Sequence, residues 1–142
     1  MTDQEKQLQI LLVEDNPMDV LLTKEGLKNW RTSHSLHVVN NGQDAVDYIS
    51  SRTPHAGLAR PDLVLLDLNL PRKNGKEILS EMKRDPHLSN IIVVVLTTTD
   101  STTDLEECKR LGAKLCITKP PTSSEYIQAI CCIEESVSLS CE

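Results

Sequence analysis

The chain has 142 residues, enough for one domain with a sizeable core, and with no Phe, one Trp and two Tyr that core must be aliphatic. Fifteen basic against 21 acidic residues give a net charge of −6, and no run of Lys and Arg offers a footprint for nucleic acid or a membrane surface. No apolar segment approaches the roughly 18 residues of a bilayer span, and Met1 to Gln9 lack the apolar stretch of a signal peptide, so a cytoplasmic protein is expected.

Short aliphatic runs alternate with amphipathic stretches throughout. Residues 1–8 read as a polar leading segment, residues 9–137 as one domain and residues 138–142 as a fraying tail. The first strand covers 9–13 and stops at Glu14-Asp15. Asn16-Pro17 then supplies an N-cap and a proline at the first helical position, opening a helix over 17–30 with a gapped stripe of Met18, Leu21, Leu22 and Leu27. A weaker strand over 35–39 contains His37 and ends in the turn Asn40-Asn41-Gly42, followed by a helix over 42–51 and a loop over 51–60. The third strand, 63–66, runs into Asp67. Asn74-Gly75 reads as a turn into a helix over 75–84, and the fourth strand, 91–96, runs into Thr97 and Thr98. Ser101 and Asp104 suggest a capping box for a helix over 101–111, which Gly112 would close in the left-handed conformation. The fifth strand, 114–118, precedes Lys119, and a last helix over 123–137 carries Ile127, Ile130, Cys131 and Val137.

Five strands alternating with five helices imply an α/β fold with a parallel, doubly wound sheet. Continuous aliphatic runs suit strands buried on both faces, and ligands of such sheets bind beyond the strands' carboxyl ends. At those ends stand Glu14, Asp15, Asp67, Thr97, Thr98 and Lys119. Each alone has a plain structural reading, as a helix cap or a solvated lysine. Together they supply a coherent chemistry. Clustered carboxylates make a hard oxygen site suited to Mg²⁺, a central carboxylate can take a phosphoryl group as an acyl phosphate, and an ammonium and a hydroxyl can bind the phosphoryl oxygens. The five cysteines are odd in number and lack zinc spacing. Cys108, Cys116, Cys131 and Cys132 fall at apolar-periodic positions and read as small core residues, while Cys141 lies in the tail.

The phrases Leu12-Val13-Glu14-Asp15-Asn16, Leu66-Asp67-Leu68-Asn69-Leu70-Pro71, Asn74-Gly75, Leu96-Thr97-Thr98 and Thr118-Lys119-Pro120 resemble the receiver domain of bacterial two-component response regulators, over roughly residues 8 to 135. The stretches 66–70 and 93–98 are similar to single-domain regulators that partner phytochrome-type histidine kinases. The resemblance implies a flavodoxin-like strand order 2-1-3-4-5 and a phosphoacceptor at Asp67. It implies Mg²⁺ held by Glu14, Asp15, Asp67 and the backbone carbonyl of Asn69, a switch hydroxyl at Thr97 and a phosphoryl partner at Lys119. A cis peptide is implied at Lys119-Pro120, and Asn69 and Thr98 stand where side chains modulate hydrolysis of the phosphoryl group.

Two positions depart from the family pattern. Cys116 stands where many receivers carry a Tyr or Phe switch residue, and Pro121 where an aromatic is common; both changes remove rings from one face, which suggests a face rebuilt for a particular partner or for self-association. The function expected is a stand-alone response regulator without turnover of an external substrate. With no appended DNA-binding segment, its output would run through protein contacts, as a phosphorelay shuttle or a homodimer whose assembly changes on phosphorylation. The alternatives are a scaffold receiver that takes no phosphate and an aspartate-nucleophile phosphohydrolase. The hydrolase would carry a D-x-D after the first strand, where this chain has Glu14-Asp15.

Overall fold

The computed structural model describes residues 7–49, 60–68, 70, 74–86, 88, 90–98 and 101–137. The elements alternate strictly: β1 (Leu8–Val13), α1 (Pro17–Leu27), β2 (His34–Val39), α2 (Gly42–Ile49), β3 (Leu63–Asp67), α3 (Gly75–Arg84), β4 (Ile92–Thr97), α4 (Thr102–Arg110), β5 (Leu115–Thr118) and α5 (Ser123–Ser136). Every strand pair is parallel and the order is β2-β1-β3-β4-β5, as the sequence implied. The loop over 51–59, the tail with Cys141 and the extreme N-terminus lie outside the described residues.

The period-2 alternation of side chains divides each buried strand between two cores. Leu11, Val13, Val64, Leu66, Val93 and Val95 face one side and pack with residues of α2 and α3 and with Cys108 of α4. Ile10, Leu12, Leu63, Leu65, Val94 and Leu96 face the other side and pack with Leu27 of α1 and with Tyr126, Ile130 and Ile133 of α5. β3 is buried along its whole length, as the central strand of such a sheet must be. β2, the least regular run in the sequence, lies at the sheet edge, where partial exposure tolerates His37 and its ring contact with Tyr48.

The helix boundaries follow their caps. Asn16 Oδ1 accepts from the amides of Met18 and Asp19, with Pro17 in the first turn. At the end of α4, Gly112 takes φ +111, and the amides of Gly112 and Ala113 return to the carbonyls of Lys109 and Cys108. This is the Schellman closure that the left-handed glycine permits. Asn74, read as part of a turn, is the N-cap of α3 in a full capping box with Glu77, and the Asn-x-x-Glu spacing carried that signal. Ser101 Oγ accepts from the Asp104 amide, and the Asp104 carboxylate reaches Lys76 on α3.

Several expectations shift. α1 ends at Leu27 rather than at residue 30, and Met18 and Leu21 of its expected inward stripe are 57% and 51% exposed. The buried face of α1 is Thr23, Gly26 and Leu27, which lets the helix approach Ile130 of α5 closely. The inward face of α5 is Tyr126, Ile130 and Ile133, with Val137 at its end, so Ile127 and Cys131 are only half-buried. Cys132, expected in the core, is exposed, because it sits on the outer side of that same helix. Cys108 is fully buried as expected.

Candidate functional site

The strand ends bring the expected side chains to one edge of the sheet. β1 passes into Glu14, whose amide donates to the Val39 carbonyl of β2 (3.0 Å). β3 carries Asp67 as its last residue, in register with Leu96, and β4 carries Thr97, in register with Thr118. Both residues therefore belong to their strands rather than to the loops beyond them. The Lys119 amide donates to the Thr97 carbonyl (2.6 Å), which fixes the β5–α5 connection against the end of β4.

Glu14, Asp15 and Asp67 each present a carboxylate oxygen within 4.8 Å of the others, Glu14 and Asp67 buried and Asp15 exposed. Lys119 Nζ joins this group and donates to Glu14 Oε1 (3.0 Å), Asp19 Oδ2 (2.8 Å) and Asp67 Oδ2 (3.3 Å). Asp19 was not among the residues expected here. As an acid in the first turn of a helix it reads from sequence as a partner of the helix dipole, and no spacing rule aims it at Lys119. Thr97 is fully buried and Thr98 is exposed beyond it. Asn69, expected to offer its backbone carbonyl, lies outside the described residues.

The electrostatics are unbalanced, with three carboxylates on one ammonium and a fourth, Asp15, beside them. Burial, with the Asp67 charge adding to it and Lys119 opposing it, pushes the Glu14 carboxyl up from 4.5 to about 7. For Lys119, burial alone would lower the pKa, but the hydrogen bond to Asp19 and the charges of Glu14 and Asp67 outweigh it, and the net shift is upward. An all-oxygen donor set carrying surplus negative charge fits a hard divalent cation. The α3 side of the site is held by backbone. The Gly75 amide donates to the Leu68 carbonyl (3.0 Å), and a Cβ at Gly75 would fall 2.8 Å from Leu68 Cα and 2.9 Å from the Asp67 carbonyl oxygen. Only a glycine allows α3 to start this close to Asp67.

Cys116 lies half-buried on β5 against the α2–α4 core, and its Sγ donates to the Leu105 carbonyl of α4 at 3.7 Å. The position that holds a ring in many receivers here ties β5 directly to α4. A cavity of about 140 Å³ between α2 and α3, lined by Val46, Ile49, Ile78 and Met82, lies away from the acids and contains none of the expected site residues.

Comparison with known proteins agrees with this geometry. Residues 10–131 match the family described as the response regulator receiver domain. Response regulator Rcp1 of Synechocystis sp. is 37% identical over 125 residues, covering 88% of this chain and 85% of its own length. The phosphorylated cyanobacterial phytochrome response regulator RcpA superposes with a TM-score of 0.89 at 39% identity, over 96% of this chain and 98% of that one. The Mn²⁺-bound form of Rcp1 gives the same TM-score at 34% identity, over 95% and 97%. The chain belongs to the response regulator receiver domain family.

Proposed function

We propose that this protein is a stand-alone response regulator that accepts a phosphoryl group from a histidine kinase on Asp67, in a Mg²⁺-dependent reaction, and signals through protein contacts. The observation that carries the reading is the convergence of Glu14, Asp15 and Asp67 with the Lys119 ammonium at the carboxyl end of the sheet. Asp67 is the last residue of a fully buried strand, so its backbone is held in a fixed position.

In the transfer, an Asp67 oxygen attacks the phosphorus of a phosphohistidine. The phosphorus–nitrogen bond breaks, its electron pair leaves with the imidazole, and an acyl phosphate forms. Lys119 would pair with the phosphoryl oxygens, and the Thr97 hydroxyl would donate to one of them. Glu14, Asp15 and Asp67, with the backbone carbonyl of Asn69, would hold Mg²⁺, which offsets the charge that gathers on the phosphoryl group. Thr98 and Asn69 would tune how fast the acyl phosphate hydrolyses. Cys116 is the switch position, with Lys119-Pro120 as the cis-peptide candidate beside it. Such a protein turns over no external substrate. A phytochrome-type kinase is the proposed partner, on the strength of 39% identity to a phytochrome response regulator. Among the described residues no helix is long and apolar enough to cross a membrane, which is compatible with a cytoplasmic setting.

Incubation with acetyl phosphate and Mg²⁺ should add the mass of one phosphoryl group to the intact protein, labile to acid and base, and Asp67→Ala should abolish it. Absence of the gain would favour a scaffold receiver. Steady turnover of small phosphomonoesters would favour a hydrolase.

A further inference from the structure

Asp19 makes the shortest of the three Lys119 contacts, 2.8 Å, against 3.0 Å for Glu14 and 3.3 Å for Asp67. An ammonium has three N–H donors, so these three carboxylates already engage all of them. The lysine is thereby held toward α1, and its longest contact is the one to Asp67.

Asp19 is itself well fixed. Its amide is capped by Asn16 Oδ1 (3.3 Å), and its carbonyl accepts from the hydroxyl of the fully buried Thr23 (2.8 Å). α1 cannot drift from this position freely, because Gly26 packs tightly on Ile130 and the Trp30 indole donates to the Ile130 carbonyl (3.0 Å). A first-turn acid that served only the helix dipole would leave its carboxylate in water. This carboxylate instead pairs with a lysine side chain that is 8% exposed.

We propose that Asp19 is a positioning residue that holds the Lys119 ammonium on the α1 side of the pocket and so sets how readily it turns to a phosphoryl group on Asp67. This rests on the phosphoacceptor reading above. A phosphoryl group on Asp67 brings new oxygens, and Lys119 reaches them only by releasing or sharing an N–H now given to Asp19, Glu14 or Asp67. Loss of the Asp19 carboxylate frees one donor and moves the balance toward Asp67.

The test uses the full chain with beryllofluoride as the phosphoryl mimic, at saturating Mg²⁺ so that a weaker field on the cation does not enter. Asp19→Asn and Asp19→Ser should each tighten beryllofluoride binding about three- to tenfold, the net scale of one hydrogen bond. Asp19→Glu should restore the wild-type value. In a Lys119→Met background, Asp19→Asn should change the affinity less than about twofold, because the lysine through which it acts is gone. Unchanged or weaker binding in both Asp19 variants overturns the proposal, and so does equal tightening in the Lys119→Met background. If wild type and variants alike take up no beryllofluoride, the phosphoacceptor reading falls and this proposal with it. Wild-type uptake without any effect at Asp19 sinks this proposal alone.

Discussion

Two lysines in this protein each face carboxylates across elements, and their settings differ. Lys119 is 8% exposed among Glu14 (1%), Asp19 (19%) and Asp67 (7%). Lys76 on α3 is 33% exposed and bridges Asp104 and Glu107 of α4, themselves 39% and 38% exposed. The contact lengths are nearly the same, 2.8 and 2.9 Å at Lys76 against 2.8 to 3.3 Å at Lys119. Water screens the Lys76 group, so it acts as a clamp between two helices. The Lys119 group has little solvent and more acids than its cation can neutralise, so its charges are unrelieved. Excess charge under burial, rather than the ion pairs themselves, separates a site from a surface staple.

The largest effect is expected at Glu14. Its folded-state pKa is raised from 4.5 to about 7, so between those values the folded chain holds a proton more tightly than the unfolded chain. Stability of the metal-free protein should therefore fall as pH rises through that window, and Glu14→Gln should remove the slope. At pH 8 in chelator the same substitution should raise stability by about 1–3 kcal/mol and remove the stabilisation that Mg²⁺ gives wild type, both readable by thermal melts. A metal-free wild type whose stability is flat from pH 4.5 to 7 would show that the buried cluster carries no more unrelieved charge than the exposed one. Lys119 acts at the other end of the scale. Its pKa is raised above 10.5, so the stability it contributes is complete below that value and lost as pH climbs beyond it.

Gly75→Ala comes next. The added methyl group meets backbone at Leu68 and Asp67, so α3 must shift, at a cost of about 1–3 kcal/mol and with weakened Mg²⁺ binding in calorimetric titration. At the exposed cluster, Lys76→Met should cost under about 1 kcal/mol in urea unfolding, and less in high salt. A loss as large as that at a buried pair would show that exposure does not distinguish the two lysines. The smallest effect concerns Tyr126, whose hydroxyl is the buried side-chain polar atom without a hydrogen-bond partner among the described residues. Tyr126→Phe should change stability by no more than about 0.5 kcal/mol, since the desolvation of the hydroxyl and its interaction with Thr23 are lost together.

The parts of this picture that were legible in the sequence are those that local pattern dictates. Aliphatic runs of four to six residues read as strands buried on both faces, and the acids, Thr97 and Lys119 follow those runs directly. The order of the strands and the edge position of β2 then came with the resemblance. What escaped were facts of helix rotation and close approach. Asp19 gives no sign of its target, because Lys119 lies 100 residues away. The Met18–Leu21 stripe read as core, but Thr23 and Gly26 face inward instead, since α5 approaches closely over a glycine. On α5 the inward face keeps Ile130 and Val137 but takes Tyr126 and Ile133 in place of Ile127 and Cys131, and leaves Cys132 in water. Apolar residues spread around a helix leave its rotation open to packing.

The buried, over-charged cluster is proposed to direct a phosphoryl group to one carboxylate, Asp67. Borohydride reduction of protein treated with acetyl phosphate and Mg²⁺ converts a phosphorylated aspartate to homoserine, which peptide mass mapping locates. Homoserine is expected at position 67 and at none of the neighbouring acids. Homoserine at 15 or 19, or an unmodified Asp67 after full treatment, would contradict it.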